Sequence, residues 1–150
     1  MASTLSMPDS YNWFHVMIVF FQDILSVADA NVFGVDWRRT HCAEFFMTAA
    51  KVPAVGAFVG HFVSKLHLDK NLDLDLVTLV GYSTGAHAFG HTGRTVTQET
   101  GKKVGKISGL EPNKPYFDMQ DESLRINKED GQLVEIVHTN SDNLVVVSSN

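Results

Sequence analysis

The sequence predicts an α/β domain, with a central, mostly parallel sheet and helices on both of its faces. Three observations carry this. Short apolar or β-branched runs recur at residues 32–37, 76–80, 104–110, 133–138 and 144–147. Helix-length segments lie between several of them, long enough for right-handed crossovers between parallel neighbours. One of the runs also feeds directly into a glycine-flanked serine, Gly81-Tyr82-Ser83-Thr84-Gly85, which is a strand-to-helix turn pattern.

The elements follow in order. Trp13 to Val27 is nearly continuous in apolar character, and its length favours a mostly buried helix. Its run from Val16 to Phe21 follows no positive charge and is broken by Gln22 and Asp23, so no signal peptide is visible; it is also too short for a membrane span. Val32 to Trp37 reads as a core strand and Arg38 to His41 as a loop. Ala43 to Leu68 is helical in period, with Pro53 at a kink or in the first turn of a second helix. Val55, Phe58, Phe62 and Leu66 form an apolar stripe on it, expected to pack in the core. After the polar connector 69–75 comes the strand Leu76 to Val80, then a helix from Thr84 to Thr100 closed by Gly101. Val104 to Leu110 is the next strand, stopped by Pro112. Leu133 to His138 follows a long loop, and Leu144 to Val147 is a candidate last strand.

With 150 residues the chain suits one domain with a real core. Its net charge of −5, with scattered basic residues, excludes nucleic acid as the expected partner. His87 and His91 stand one helical turn apart, but no glutamate follows the first, so a metal is not expected there. The lone Cys42 allows no internal disulfide and reads as a small buried residue at a helix start. That mildly favours a reducing compartment, or a piece of something larger.

The chemistry centres on Ser83. A bare Gly-x-Ser-x-Gly is weak evidence, but here a strand enters it and a helix leaves it. Gly85 and Ala86 are expected to keep that helix near the neighbouring backbone, with Gly90 and Gly93 extending the small-residue character. The free N–H of Thr84 at the helix start points where negative charge develops on an attacked ester carbonyl. A serine nucleophile needs a base and an orienting carboxylate, in the chain order Ser, acid, His. Glu111, at the end of the next strand, is the candidate acid. His138 is the only later histidine.

These residues resemble the pancreatic-lipase family of animals. Gly81 to Gly90 is similar to its Gly-His-Ser-Leu-Gly-Ala-His-x-x-Gly segment, and Val35-Asp36-Trp37 to its Val-Asp-Trp. Ile107 to Pro112 resembles Ile-Thr-Gly-Leu-Asp-Pro, and Val134 to Thr139 resembles Val-Asp-Val-Ile-His-Thr. Insect members, including lipase-like yolk proteins and venom phospholipases, look closest in style. The resemblance implies an α/β-hydrolase fold, incomplete at both ends, and an extracellular esterase acting on glycerolipids at a lipid–water interface without an organic cofactor. It implies Ser83 as nucleophile and Glu111 where the family carries aspartate. His138 matches a non-catalytic position, the catalytic histidine being expected beyond this segment and the second oxyanion donor before Met1. Glu122, Arg125 through its carbonyl, Asn127 and Asp130 align with a structural Ca²⁺ loop of some members, Asn127 replacing a carboxylate. Competing readings are an inactive lipase-like lipid-binding or yolk-storage protein, and a non-functional fragment.

Overall fold

The computed structural model describes residues 11–37, 49–113, 117, 121–139 and 145–148. Cys42, the expected loop 38–41, the helix start from Ala43 and Leu144 lie outside them. The chain divides into two units, Met1–Asp36 and Trp37–Asn150.

In the first unit, helix α1 spans Tyr11–Val27, close to the expected bounds. Its burial is not as expected. Val16 and Leu25 remain about half exposed, at 52% and 51%. A helix that is apolar all round cannot cover itself, and among the described residues of this unit its other partner is the short segment 28–36. Gly34 lets the ring of Phe21 lie on that segment, because an added Cβ would come within 2.9 Å of it. The strand expected at Val32–Trp37 does not form. A strand exists only where a neighbour completes its ladder, and among the described residues this run has none. No described helix is long and apolar enough to cross a membrane.

The second unit is built on a sheet in the order β1-β2-β3-β4. Strands β1 (Thr78–Tyr82), β2 (Lys106–Leu110) and β3 (Leu133–His138) are parallel. β4 (Val145–Ser148) runs antiparallel to β3. β1 begins two residues later than its apolar run suggests, because Leu74–Leu76 forms a short 3₁₀ turn capped by the side chain of Asp73. Helix α3 (Thr84–Thr100) contacts β1 and β2 directly, and helix α2 (Val52–Lys70) packs on α3. Gly101 ends α3 at φ 73°, its N–H bonding Thr97 O, as its position predicts. The core joins Val59 and Val63 of α2 to Leu79, Val96, Val104, Ile107 and Val134.

Pro53 sits in the first turn of α2, where its missing N–H costs nothing. Of the expected stripe Val55 packs against buried residues, but the phenylalanines do not, and the buried face is another one. Val52, Gly56, Val59, Gly60 and Val63 face inward, while Phe58 is 76% and Phe62 45% exposed. Glycine explains the choice. A Cβ at Gly56 would collide with the Ala88 carbonyl, and one at Gly60 would come within 2.7 Å of Thr95 Cγ2, so these two positions admit α3 at close range. Thr92 Oγ1 then reaches across to Gly56 O at 3.0 Å.

Gly56→Ala is therefore expected to cost about 1–3 kcal/mol of stability through overpacking, despite the better helix propensity of alanine. Phe58→Gln should stay within about 0.5 kcal/mol. Urea unfolding of the two variants checks the order; a larger loss at Phe58 would restore the phenylalanine stripe as the packed face.

Candidate active site

Ser83 belongs to the sheet and to the helix at once. Its N–H donates to Leu110 O at 2.8 Å, continuing the β1–β2 ladder by one residue. Its carbonyl accepts from Ala86 N–H at 3.1 Å and so begins α3. Satisfying both turns the backbone to φ 55°, ψ −121°, a region that non-glycine residues avoid. Gly81 makes the sharp turn possible, since a Cβ there would lie 2.5 Å from Gly85 O. Its register partner Gly109 also faces α3, less tightly: a Cβ there would lie 3.3 Å from Ala86 Cβ. Gly85 differs from expectation: among the described residues a Cβ there would meet nothing within 4 Å. The pinch lies below the serine, at Gly81 and Gly109, so the second glycine of the motif has no close-packing role. Gly93 does, being pressed against the Asp130 carbonyl.

The Ser83 hydroxyl does not cap its own helix. Thr84 is the first residue of α3, so its N–H has no acceptor within the helix. Both are the properties a nucleophile and an oxyanion donor require.

Among the described residues three that are not glycine have positive φ: Asn71, Ser83 and Glu111. Asn71 is the left-handed C-cap of α2, an ordinary place for it. The other two stand side by side. Tyr82 pairs with Leu110, so the next residues in register are Ser83 and Glu111; Leu110 pairs with Val137, which brings Glu111 beside His138. Glu111, at φ 46°, donates its N–H to Val137 O at 2.8 Å. Its Oε1 accepts from Thr139 N–H at 2.5 Å and from the Thr139 hydroxyl. Its Oε2 lies 3.6 Å from His138 Nδ1. Hydrogen bonds from Thr139 chiefly, and then the neighbouring His138, hold the Glu111 carboxyl below the usual glutamate range. His138 therefore meets the carboxylate from β3, two strands from β1. Adjacent strands lie about 4.8 Å apart, so it does not stand between serine and acid, where a base belongs.

Residues 8–149 match the Lipase family. The chain belongs to the lipase family, of the pancreatic-lipase kind. Lipoprotein lipase of Rattus norvegicus is 37% identical over 111 residues, 74% of this chain and 23% of that protein. Pancreatic triacylglycerol lipase of Cavia porcellus is 30% identical over 122 residues, 81% of this chain and 25% of that protein. The chain thus spans about a quarter of the length of the curated relatives it matches.

Within this lipase segment the loop 121–130 packs against α3 through polar contacts. His87 is buried and stacked on Phe117 at 3.7 Å between ring centroids. Its Nε2–H donates to Asn113 O at 3.0 Å and its Nδ1 accepts from Ile126 N–H at 3.2 Å, which requires the neutral ring. Burial pushes His91 down to about 4, and its Nε2 donates to Leu124 O at 3.3 Å. Both histidines bind backbone, in keeping with their reading as helix residues.

Arg94 holds the same loop. Its Nη1 donates to Ser123 O, Nη2 to Arg125 O at 3.1 Å, and Nε lies 3.2 Å from Asp130 Oδ1. This bears on the calcium expectation. Asp130 is fully buried, and burial pushes its carboxyl up to about 6. Its Oδ2 accepts from Asn127 N–H at 2.8 Å, while Oδ1 has a charge contact with Arg94 but no hydrogen bond. Asn127 Oδ1 is held by Glu129 N–H at 2.9 Å, and the Glu122 carboxylate faces Arg125 at 3.4 Å. One buried carboxylate against one fixed guanidinium is a poor fit for a divalent ion, which wants several anionic and carbonyl oxygens free. Among the described residues no three acidic, His or Cys groups converge as a metal site.

Sequence reasoning did not find Arg94, Gly109 or the Thr139 contact. The glycine has a weak signal in its strand-interior position; the other two depend on register and loop path.

Adding calcium or a chelator is expected to leave the melting temperature unchanged. Arg94→Met should cost about 3 kcal/mol, because it strips a buried carboxylate of its partner. A calcium-dependent rise of several degrees in the native protein would instead assign the loop to the metal.

Proposed function

We propose that this chain carries the nucleophile and the acid of a serine ester hydrolase acting on glycerolipid carboxylic esters, triacylglycerols or phospholipids, at a lipid–water interface outside the cell. The observation that supports it best is the pairing of two strained residues, Ser83 and Glu111, at the ends of adjacent parallel strands. Strain of about 1–3 kcal/mol per residue persists only where the surroundings force it, and active sites are where it concentrates.

The chemistry follows from the geometry. An imidazole base removes the proton of Ser83 Oγ as that oxygen bonds to the ester carbonyl carbon. The carbonyl oxygen becomes an oxyanion beside the Thr84 N–H. Collapse expels the glycerol oxygen, which takes the proton back from the imidazolium, and leaves an acyl-serine. Water, deprotonated by the same base, releases the fatty acid. Glu111 orients the imidazole and stabilises its charged form. No organic cofactor enters these steps.

A second reading is a lipase-like lipid-binding or storage protein without turnover. It is favoured by one observation: among the described residues no imidazole stands between Ser83 and Glu111, His138 lying on the far side of the acid.

A fluorophosphonate ester is expected to modify Ser83 covalently, with no labelling in Ser83→Ala. Glu111→Gln should slow the labelling at least about 100-fold, since the acid of a triad contributes strongly to the rate. Mass spectrometry of the labelled peptide reads the result. Folded protein that takes up no label belongs to the second reading.

A further inference from the structure

A glutamate is a demanding choice for an orienting carboxylate. It has one more rotatable bond than aspartate, and holding a long side chain in one rotamer costs more conformational entropy. A group that must steer a catalytic base is useful only when its own position is fixed by its neighbours. Glu111 is fixed at both ends. Its backbone N–H is tied to Val137 O, and its Oε1 receives both the N–H and the hydroxyl of Thr139. The two donors converge on a single oxygen. The other, Oε2, is 3.6 Å from His138 Nδ1, beyond hydrogen-bonding range, and among the described residues no other donor reaches it, so it can accept from one.

We propose that Thr139 is a positioning residue of the site: it pins Oε1 of Glu111 and thereby presents Oε2 to the ring N–H of the base. The role rests on the hydrolase reading above. It accounts for how the longer acid works in this chain: the extra methylene extends the carboxylate toward β3, and Thr139, one residue past the end of β3, is where the carboxylate arrives. A second consequence follows from the same two bonds. They favour the ionised carboxylate, as does the neighbouring His138, and so hold Glu111 below the ordinary glutamate range.

Thr139 is exposed, so its replacement should leave the fold intact. Thr139→Val keeps the backbone donor and removes the hydroxyl; Thr139→Ser keeps both. The test is a titration of the Glu111 carboxyl by carbon NMR in the whole chain, assigned with Glu111→Gln, beside the rate of fluorophosphonate labelling at neutral pH. In Thr139→Val the Glu111 midpoint should rise toward the ordinary glutamate range, because the hydroxyl bond that favours the ionised form is gone. Labelling of Ser83 at neutral pH should slow, because the acid that orients the base is no longer pinned, and Thr139→Ser should restore both. A midpoint that does not move in Thr139→Val, in protein that labels normally, overturns the role of Thr139 alone. So does a serine variant that behaves like the valine one. A midpoint that moves in protein whose Ser83 never labels overturns the hydrolase reading and, with it, the positioning role.

Discussion

The second unit depends on a single residue having to serve two hydrogen-bonding patterns. The N–H of Ser83 completes the β1–β2 ladder and its carbonyl starts α3. No relaxed backbone does both, so the dihedral strain at this residue is the condition for the strand and helix to meet at all. Glycines clear the ground beneath the junction. Gly81 and Gly109 are cross-strand partners, and both lie against the first turn of α3. Further along, Gly93 lets the same helix settle on the backbone at Asp130, and Gly56 and Gly60 bring in α2 from the other side. The helix that starts at the serine is thus gripped along its length, and its N-terminus cannot drift from the strand ends. That rigidity is what holds the Thr84 N–H and the serine hydroxyl in a fixed relation.

A second set of contacts organises the loop between β2 and β3, and it is polar. His87 binds the loop through both ring nitrogens, and Arg94 binds two of its carbonyls as well as the buried Asp130. Both residues come from α3, so the helix that positions the nucleophile also shapes the segment leading from Glu111 to β3. A long loop on a protein surface would otherwise leave its carbonyls to water. Here a permanent cation and a neutral imidazole satisfy them. The cost is the Asp130 Oδ1, which is buried without a hydrogen bond and raises the affinity of that carboxyl for a proton.

The sequence made the local features legible and hid those that depend on register. Leu133–His138 and Thr84–Thr100 match their expected bounds, because a strand run or a helix bounded by a serine turn and Gly101 is written in consecutive residues. Ser83 and Glu111 were visible for the same reason: each ends an apolar run. On α2 hydrophobic periodicity finds Val55 but also counts the exposed Phe58 and Phe62, and it is blind to Gly56 and Gly60, whose value is the absence of a side chain. Val32–Trp37 has the composition of a strand, yet composition cannot supply a partner. The Thr139 contact and the Arg94 contacts join residues 28 to 31 positions apart, which only the pairing of strands and the path of the loop bring together.

Position 83 is held in a conformation its residue type resists, and the junction depends on it. Comparing the unfolding free energies of Ser83→Gly and Ser83→Ala isolates that constraint, since neither variant keeps the hydroxyl. Glycine adopts positive φ freely and alanine does not, so the glycine variant should be the more stable by about 1–2 kcal/mol, although glycine is elsewhere the less stabilising residue. An alanine variant as stable as the glycine one, or more so, would mean that the backbone at 83 is relaxed and that the junction is not the strained elbow described.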